Sequence, residues 1–139
     1  MIQQLEPYEG YKPGHPWYYR LGGKIPSPKQ IEAYAMSAEY RGYLAGDIND
    51  AMNRAEPQRS AALRKIRSKV IADLRNDLSC YRGFACKLRR FRSDNSVKLD
   101  EHGCDNIHTA MSLKFAHIYN GFANLKTLNN VPNKQLDLF

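Results

Sequence analysis

The sequence predicts an all-α protein, a three-helix bundle-like domain with an extended N-terminal arm and a flexible C-terminal tail. In three stretches, apolar residues recur at steps of three and four residues, which is the period of an amphipathic helix. No stretch shows the strict alternation that is typical of a half-buried strand. The 139 residues suit a single domain, so we expect an arm over 1–26, a helical domain over 27–128 and a tail over 129–139.

The first helix is predicted to run from Ser27 to about Ala55. Ser27 suits the N-cap and Pro28 the first helical position. The helix is expected to end before Glu56-Pro57, because a residue that precedes proline avoids the helical conformation. Its inner face is predicted to consist mostly of small side chains: Ile31, Tyr34, Ala35, Ala38, Gly42, Ala45, Ile48 and Met52. Such a face indicates close packing against a neighbouring helix.

The second and third helices are predicted over 58–91 and 106–128. Between them, Asp94-Asn95 and His102-Gly103 are typical of turns, and Asp105 is expected to cap the third helix. The second helix has its apolar face at Leu63, Ile66, Val70, Leu74, Leu78, Tyr81, Ala85 and Leu88. The third has its apolar face at Ile107, Met111, Phe115, Ile118, Phe122, Leu125 and Leu128.

The N-terminal arm combines helix-breaking prolines and glycines with many aromatic residues. The aromatic residues are Tyr8, Tyr11, Trp17, Tyr18 and Tyr19. In one interpretation they lie across the helical domain and cover its core. In the other they form a stacking surface for unpaired bases, with Lys12, Arg20 and Lys24 near the phosphates.

Positive charge is concentrated in one part of the chain. The net charge is +7, and residues 57–92 hold eleven Lys and Arg against two Asp. Such asymmetry points to a polyanionic partner. The candidate nucleic-acid-binding residues lie on the second helix: Arg64, Arg75, Arg82 and Arg89 line one flank, with Lys65 and Arg90 further round. No helix-turn-helix or zinc finger is evident, so contact independent of base sequence is expected. The alternative is a solvated helix face.

Few residue patterns suggest a cofactor or catalysis. A zinc site could be formed by His102, Cys104, Asp105 and His108 with Cys80 and Cys86, but Cys80 and Cys86 have the wrong spacing for one. No phosphate-binding loop, nucleophile elbow or His-Glu-x-x-His motif occurs. We therefore expect no enzyme, no metal and no cofactor. Three cysteines, no apolar run of membrane-spanning length and no export signal favour a cytoplasmic protein.

The last five residues are Gln135, Leu136, Asp137, Leu138 and Phe139. This pentapeptide resembles the short segment with which bacterial polymerases, mismatch-repair and replication-control proteins bind the sliding clamp, the beta subunit of DNA polymerase III. The consensus of that segment is Gln-Leu-Ser/Asp-Leu-Phe. The resemblance implies that Gln135 bonds through its amide at one subsite and Leu136 packs beside it. It also implies that Leu138 and Phe139 fill the main apolar pocket.

The resemblance covers five residues, and the body matches no family pattern evident in its sequence. The expected function is that of a DNA-associated accessory protein, encoded by a phage, plasmid or other mobile element. The clamp would recruit it to replication or repair sites near the bacterial nucleoid, and its basic helix would contact nucleic acid. One alternative is a replication inhibitor or toxin that blocks the clamp cleft. A weaker alternative is a nuclease.

Overall fold

The computed structural model describes residues 26–93 and 101–130, and no strand occurs within these two ranges. In chain order, the helices are α1 (Pro28–Ser37), α2 (Ala45–Met52), α3 (Gln58–Ser93) and α4 (Glu101–Asn129). The predicted all-α class is therefore confirmed. The aromatic residues of the arm and the residues after 130 lie outside the described ranges, so the predictions about them stay predictions.

The start of α1 follows the predicted capping. The hydroxyl of Ser27 accepts the backbone N–H of Gln30, and the Gln30 side chain accepts the backbone N–H of Ser27. This reciprocal pair satisfies two N–H groups that have no partner within the helix. Just before it, the buried Pro26 accepts a hydrogen bond through its carbonyl from the Tyr81 hydroxyl, at 2.7 Å. The entry to α1 is thereby fixed against α3.

The prediction of one helix from Ser27 to about Ala55 is wrong between α1 and α2, where residues 38–44 are not helical. Groups on α4 hold this connection in place of intrahelical hydrogen bonds. The Lys126 ammonium donates to the carbonyl oxygens of Ala35, Ala38 and Tyr40, at 2.6 to 3.0 Å. Burial lowers the pKa of Lys126. A cation at the end of α1 also opposes the negative end of the helix dipole, which favours termination there.

Two asparagines of α4 hold the end of the same connection. The side-chain Oδ1 of Asn120 accepts the backbone N–H of Tyr43 at 2.6 Å, and Oδ1 of Asn124 accepts that of Leu44 at 3.1 Å. Gly42 allows this close approach, because its φ is +98° and an added Cβ would lie 2.0 Å from Asn124 Oδ1. The chain therefore turns at Gly42, and α2 follows from Ala45.

We expect Gly42→Ala to lower the free energy of unfolding by about 3 kcal/mol, from left-handed strain and displacement of the buried Asn124 amide. Urea unfolding followed by circular dichroism measures this. Gly46→Ala is the matched control, since nothing lies within 4 Å of a Cβ at that helical position. Alanine there should be neutral or stabilising. Equal losses in both variants would contradict the role given to Gly42.

The start of α3 is stabilised from the residue before Pro57. The Glu56 carboxylate accepts hydrogen bonds from both the backbone N–H and the hydroxyl of Ser60. The hydrogen bond from the Ser60 side chain is the largest cause that lowers the pKa of Glu56, with smaller contributions from Arg59 and Arg64. As predicted, no helix continues through this dipeptide, since α2 ends at Met52, and α3 extends close to the predicted 58–91.

The fourth helix begins earlier than predicted. It starts at Glu101, so the backbone at His102-Gly103 is helical rather than a turn, and Asp105 lies inside the helix rather than at its cap. The predicted C-terminal end is confirmed within one residue. The prediction failed because a turn-forming pair does not stop a helix that continues into an apolar face packed against a neighbour.

Helices α3 and α4 run antiparallel. Arg67 near the start of α3 donates to Asn129 at the end of α4, at 3.0 Å, and Lys114 pairs with Asp77 further along. The predicted inner faces of α3 and α4 are buried or half-buried throughout, which confirms both. One core cluster, with α1, contains Ile31, Ala35, Leu74, Tyr81, Ala85, Leu88, Ile107, Met111, Phe115, Ile118, Tyr119 and Phe122. The other, with α2, contains Ile48, Ala51, Leu63, Val70 and Leu128.

Candidate nucleic-acid interface

The basic residues singled out from the sequence all lie on α3 and are all exposed: Arg64, Lys65, Arg75, Arg82, Arg89 and Arg90. Lys69 and Lys87 are exposed on the same helix. We call these eight residues the basic face. They lie off the buried stripe that contacts α1, α2 and α4, so their charges can reach a partner without disturbing the core.

Three arginines of the basic face are aligned. Arg75, Arg82 and Arg89 are separated by seven residues each, which is close to two helical turns and about 10 Å along the axis. At 100° per residue, their directions fall within a sector of about 40°. Duplex DNA carries one phosphate charge per about 1.7 Å of axis, so a row of this length spans several phosphates.

Small side chains separate the cations of the basic face. The exposed residues between them include Ser68, Ala72, Ser79, Gly83 and Cys86. None of these projects far from the helix, so a backbone could approach α3 closely. The described part of α3 contains two acidic residues, Asp73 and Asp77, and both lie far round the helix from the aligned arginines. The attraction for phosphate is therefore not cancelled within the row.

Arg64 has a second environment, at the start of α3. Its charge helps to lower the pKa of Glu56, the carboxylate that bonds Ser60. Arg64 thus contributes to the start of the helix as well as to the basic face. Arg75, Arg82 and Arg89 are therefore better suited to testing a contact with nucleic acid, because they do not act on Glu56.

A groove of about 340 Å³ lies beside the basic face, between α3 and α4. Lys69 and Asn76 border it from α3, and Asn120 and Asn124 line it from α4. Its apolar lining comes from Leu44, Val70, Leu74 and Gly121. The volume is at the lower end of the range for small-molecule sites.

Acidic and basic groups meet at one end of this groove. The Asp77 carboxylate lies 2.9 Å from the Lys114 ammonium and 4.0 Å from Nδ1 of His117. The hydrogen bond from Lys114 to Asp77 raises the pKa of Lys114. Asp73 lies one turn before Asp77 and is exposed. The groove therefore offers both hydrogen-bond donors and carboxylate acceptors.

Sequence reasoning did not find the groove, although a signal was present. Asp73 and Asp77 on α3, and Asn120 and Asn124 on α4, are pairs four residues apart beside the apolar stripes. Polar pairs at that spacing share one helix flank. The sequence could not show that both flanks face each other, because that depends on the register of two helices far apart in the chain.

The candidate zinc residues are not brought into a site by the described side chains. Cys80 is half-buried and Cys86 is exposed. The side chains of His102, Cys104, Asp105 and His108 lie outside the described ones. Within the described residues, no group of three or more His, Cys, Asp or Glu could hold a metal ion.

The clamp-binding candidates Gln135, Leu136, Asp137, Leu138 and Phe139 lie outside the described residues. The last described residue is Asn130, directly after the end of α4. Searches of protein-family models, curated proteins and solved structures find no match to this chain. None of the helices in the described ranges is long and apolar enough to cross a membrane.

Proposed function

We propose that this protein is a DNA-associated accessory factor of a phage, plasmid or other mobile element. In this proposal, its C-terminal pentapeptide binds the sliding clamp of a bacterial host, and the basic face of α3 contacts nucleic acid. The clamp supplies the location, at replication or repair sites, and the basic face supplies affinity for the polyanion. No chemistry of bond cleavage is assigned to the chain.

The observation that carries the nucleic-acid part is the exposed row of Arg75, Arg82 and Arg89. Each side chain is in solvent, and the small residues between them leave room for a phosphate backbone. Arginine donates several N–H groups in a fixed fork that suits phosphate oxygens. Because the row runs along a helix axis and shows no residue pattern for reading base edges, we assign contacts independent of base sequence.

The clamp part rests on the sequence of the tail. Leu138 and Phe139 are large apolar anchors of the kind that fill a preformed cleft, and Gln135 offers an amide for register. Residues 130–134 separate the pentapeptide from the end of α4. Because both contacts belong to one chain, the second binding event benefits from a raised effective concentration.

The direct test is binding to circular DNA on which a clamp has been loaded. We expect the intact chain to bind clamp-loaded DNA at least about a hundredfold more tightly than naked DNA of the same sequence. A chain lacking Gln135–Phe139 should bind both DNAs with the lower affinity. An intact chain that binds both DNAs equally would contradict recruitment by the clamp.

The competing function is blockade of the clamp. The clamp affinity of the tail peptide, compared with that of the whole protein, distinguishes blockade from recruitment. A recruited factor needs ordinary peptide affinity, roughly micromolar. An inhibitor needs further contacts from its body to displace polymerases that are also held by DNA. Without DNA, we expect the isolated tail peptide and the whole protein to bind clamp within about tenfold, or about 1.4 kcal/mol. Isothermal titration measures both, and a whole-protein advantage of about a hundredfold would favour blockade.

A further inference from the structure

The groove between α3 and α4 is continuous with the basic face. Lys69 belongs to both, because it is an exposed cation of α3 and also borders the groove. Lys65 lies one turn before Lys69 on the same flank. A chain of phosphates that follows these two lysines would pass the mouth of the groove.

Among the residues that line the groove, Asn124 has a buried amide donor that bonds none of the described residues. Asn124 is only 3% exposed, and its Oδ1 accepts the Leu44 N–H, which identifies the other amide atom as the NH₂ group. Within residues 26–93 and 101–130, this NH₂ group donates to no acceptor. An unsatisfied buried donor is costly, so a ligand acceptor at this position would be favoured.

Asn120 repeats this arrangement one turn earlier on α4. Its Oδ1 accepts both the Tyr43 N–H and the Tyr40 hydroxyl, at 2.6 and 3.0 Å. Its NH₂ group is therefore also directed away from the connection between α1 and α2. Both amides line the groove from α4, and Asp73 and Asp77 line it from α3, so amide and carboxylate groups border it on two sides.

We propose that this groove binds an unpaired nucleobase of a strand whose phosphates lie along Lys65 and Lys69. The inference deepens the proposed function and rests on its nucleic-acid contact. A base edge carries acceptors for the asparagine amides and donors for the carboxylates, side by side. The planar ring has an apolar surface that suits Val70 and Leu74.

The same lining disfavours a phosphate inside the groove. Asp73 and Asp77 repel an anion, and the Lys114 ammonium is already bonded to Asp77 at 2.9 Å. The other nearby cation, Lys69, lies at the border where the groove meets the basic face. The phosphates therefore belong on the basic face and the base belongs in the groove. This separation requires a single-stranded segment, since a base that stays paired and stacked in a duplex cannot leave it to enter the groove.

The experiment compares single strands of about twelve nucleotides with and without bases. Fluorescence anisotropy of the intact protein is measured with each homopolymer strand and with an abasic strand of equal length. We expect at least one base-bearing strand to bind about tenfold more tightly than the abasic strand. Asp73→Ala should reduce that ratio severalfold, although loss of a negative charge should raise affinity for the abasic strand.

Asp47→Ala is the matched control, because it removes the same charge from an exposed position on α2 that does not line the groove. It should leave the ratio unchanged. Equal binding of base-bearing and abasic strands overturns the base site but leaves the basic face standing. Failure to bind any strand at low salt overturns both proposals.

A free nucleotide is the other source of the same base edge. Competition with a mononucleotide distinguishes the two sources. We expect millimolar mononucleotide to be needed to displace the strand, since it lacks the contacts to Lys65 and neighbouring cations. Displacement at micromolar concentration would overturn the assignment to a strand and favour a free nucleotide as the ligand.

Discussion

Replacing Leu138 and Phe139 with alanine is expected to reduce clamp affinity by about a thousandfold. Truncation of a buried apolar anchor at an interface typically costs 2 kcal/mol or more, and two such anchors amount to about 4 kcal/mol. From a micromolar starting affinity, binding should then be undetectable by surface plasmon resonance. Deleting Gln135–Phe139 should have the same effect. The thermal unfolding temperature should not change, because a pentapeptide that follows the polar, Pro-containing segment 131–134 is expected to contribute little to the core.

The matched control is a chain whose last five residues are the same five in a different order. Its composition, net charge and length are unchanged, so only the fit to the cleft is lost. Val131→Ala and Pro132→Ala make a second control, since they lie outside the pentapeptide. Clamp affinity retained in the rearranged chain would show that the resemblance is accidental, and recruitment by the clamp would have to be abandoned.

The parts of the fold that could be read from the sequence are those governed by local spacing. Apolar periodicity correctly identified the inner faces of α3 and α4, from Leu63 to Leu88 and from Ile107 to Leu128. Capping chemistry correctly placed the start of α1 at Ser27 and Pro28. Both signals lie within a few residues of the feature that they predict, so no knowledge of distant contacts was needed.

The break between α1 and α2 is a long-range effect. The predicted stripe through Ala38, Gly42 and Ala45 is indeed buried or half-buried, but helical spacing alone implied that the helix continues. Lys126, Asn120 and Asn124 replace its intrahelical hydrogen bonds from about eighty or more positions along the chain. Glycine at position 42 was compatible with either conformation, and its left-handed φ becomes necessary only beside Asn124.

In the candidate site, too, one part could be predicted from local spacing and another depends on the packing of distant helices. The exposure of the basic residues follows from their angle to the apolar stripe on a single helix, and the described structure has all six exposed. Their contact with nucleic acid stays a prediction. The groove depends on the antiparallel register that sets Asp77 opposite Lys114, at 2.9 Å, and the local patterns of α3 and α4 carry no information about that register.

Reversing Arg75, Arg82 and Arg89 to glutamate is expected to lower affinity for nucleic acid on the order of a hundredfold or more. Each arginine that neutralises a phosphate releases a counterion, so the slope of log affinity against log salt should fall by about three. Arg64 is left intact because its charge acts on Glu56 at the start of α3. Anisotropy titrations with duplex and single-stranded DNA at several salt concentrations measure both quantities.

The position of the charges on α3, and not the net charge of the protein, should determine the affinity for nucleic acid, and a matched triple variant tests this. Lys29, Arg41 and Arg54 are exposed and lie outside α3. Reversing these three to glutamate changes the net charge by the same six units. If net charge alone governed binding, both triple variants would weaken it equally. If nucleic acid contacts the aligned row, the α3 variant should lose most of its affinity and most of its salt dependence. The affinity of the control variant should fall severalfold at most. Equal losses, or no retention of any DNA by the unmodified chain at low salt, would exclude the basic face as the nucleic-acid interface.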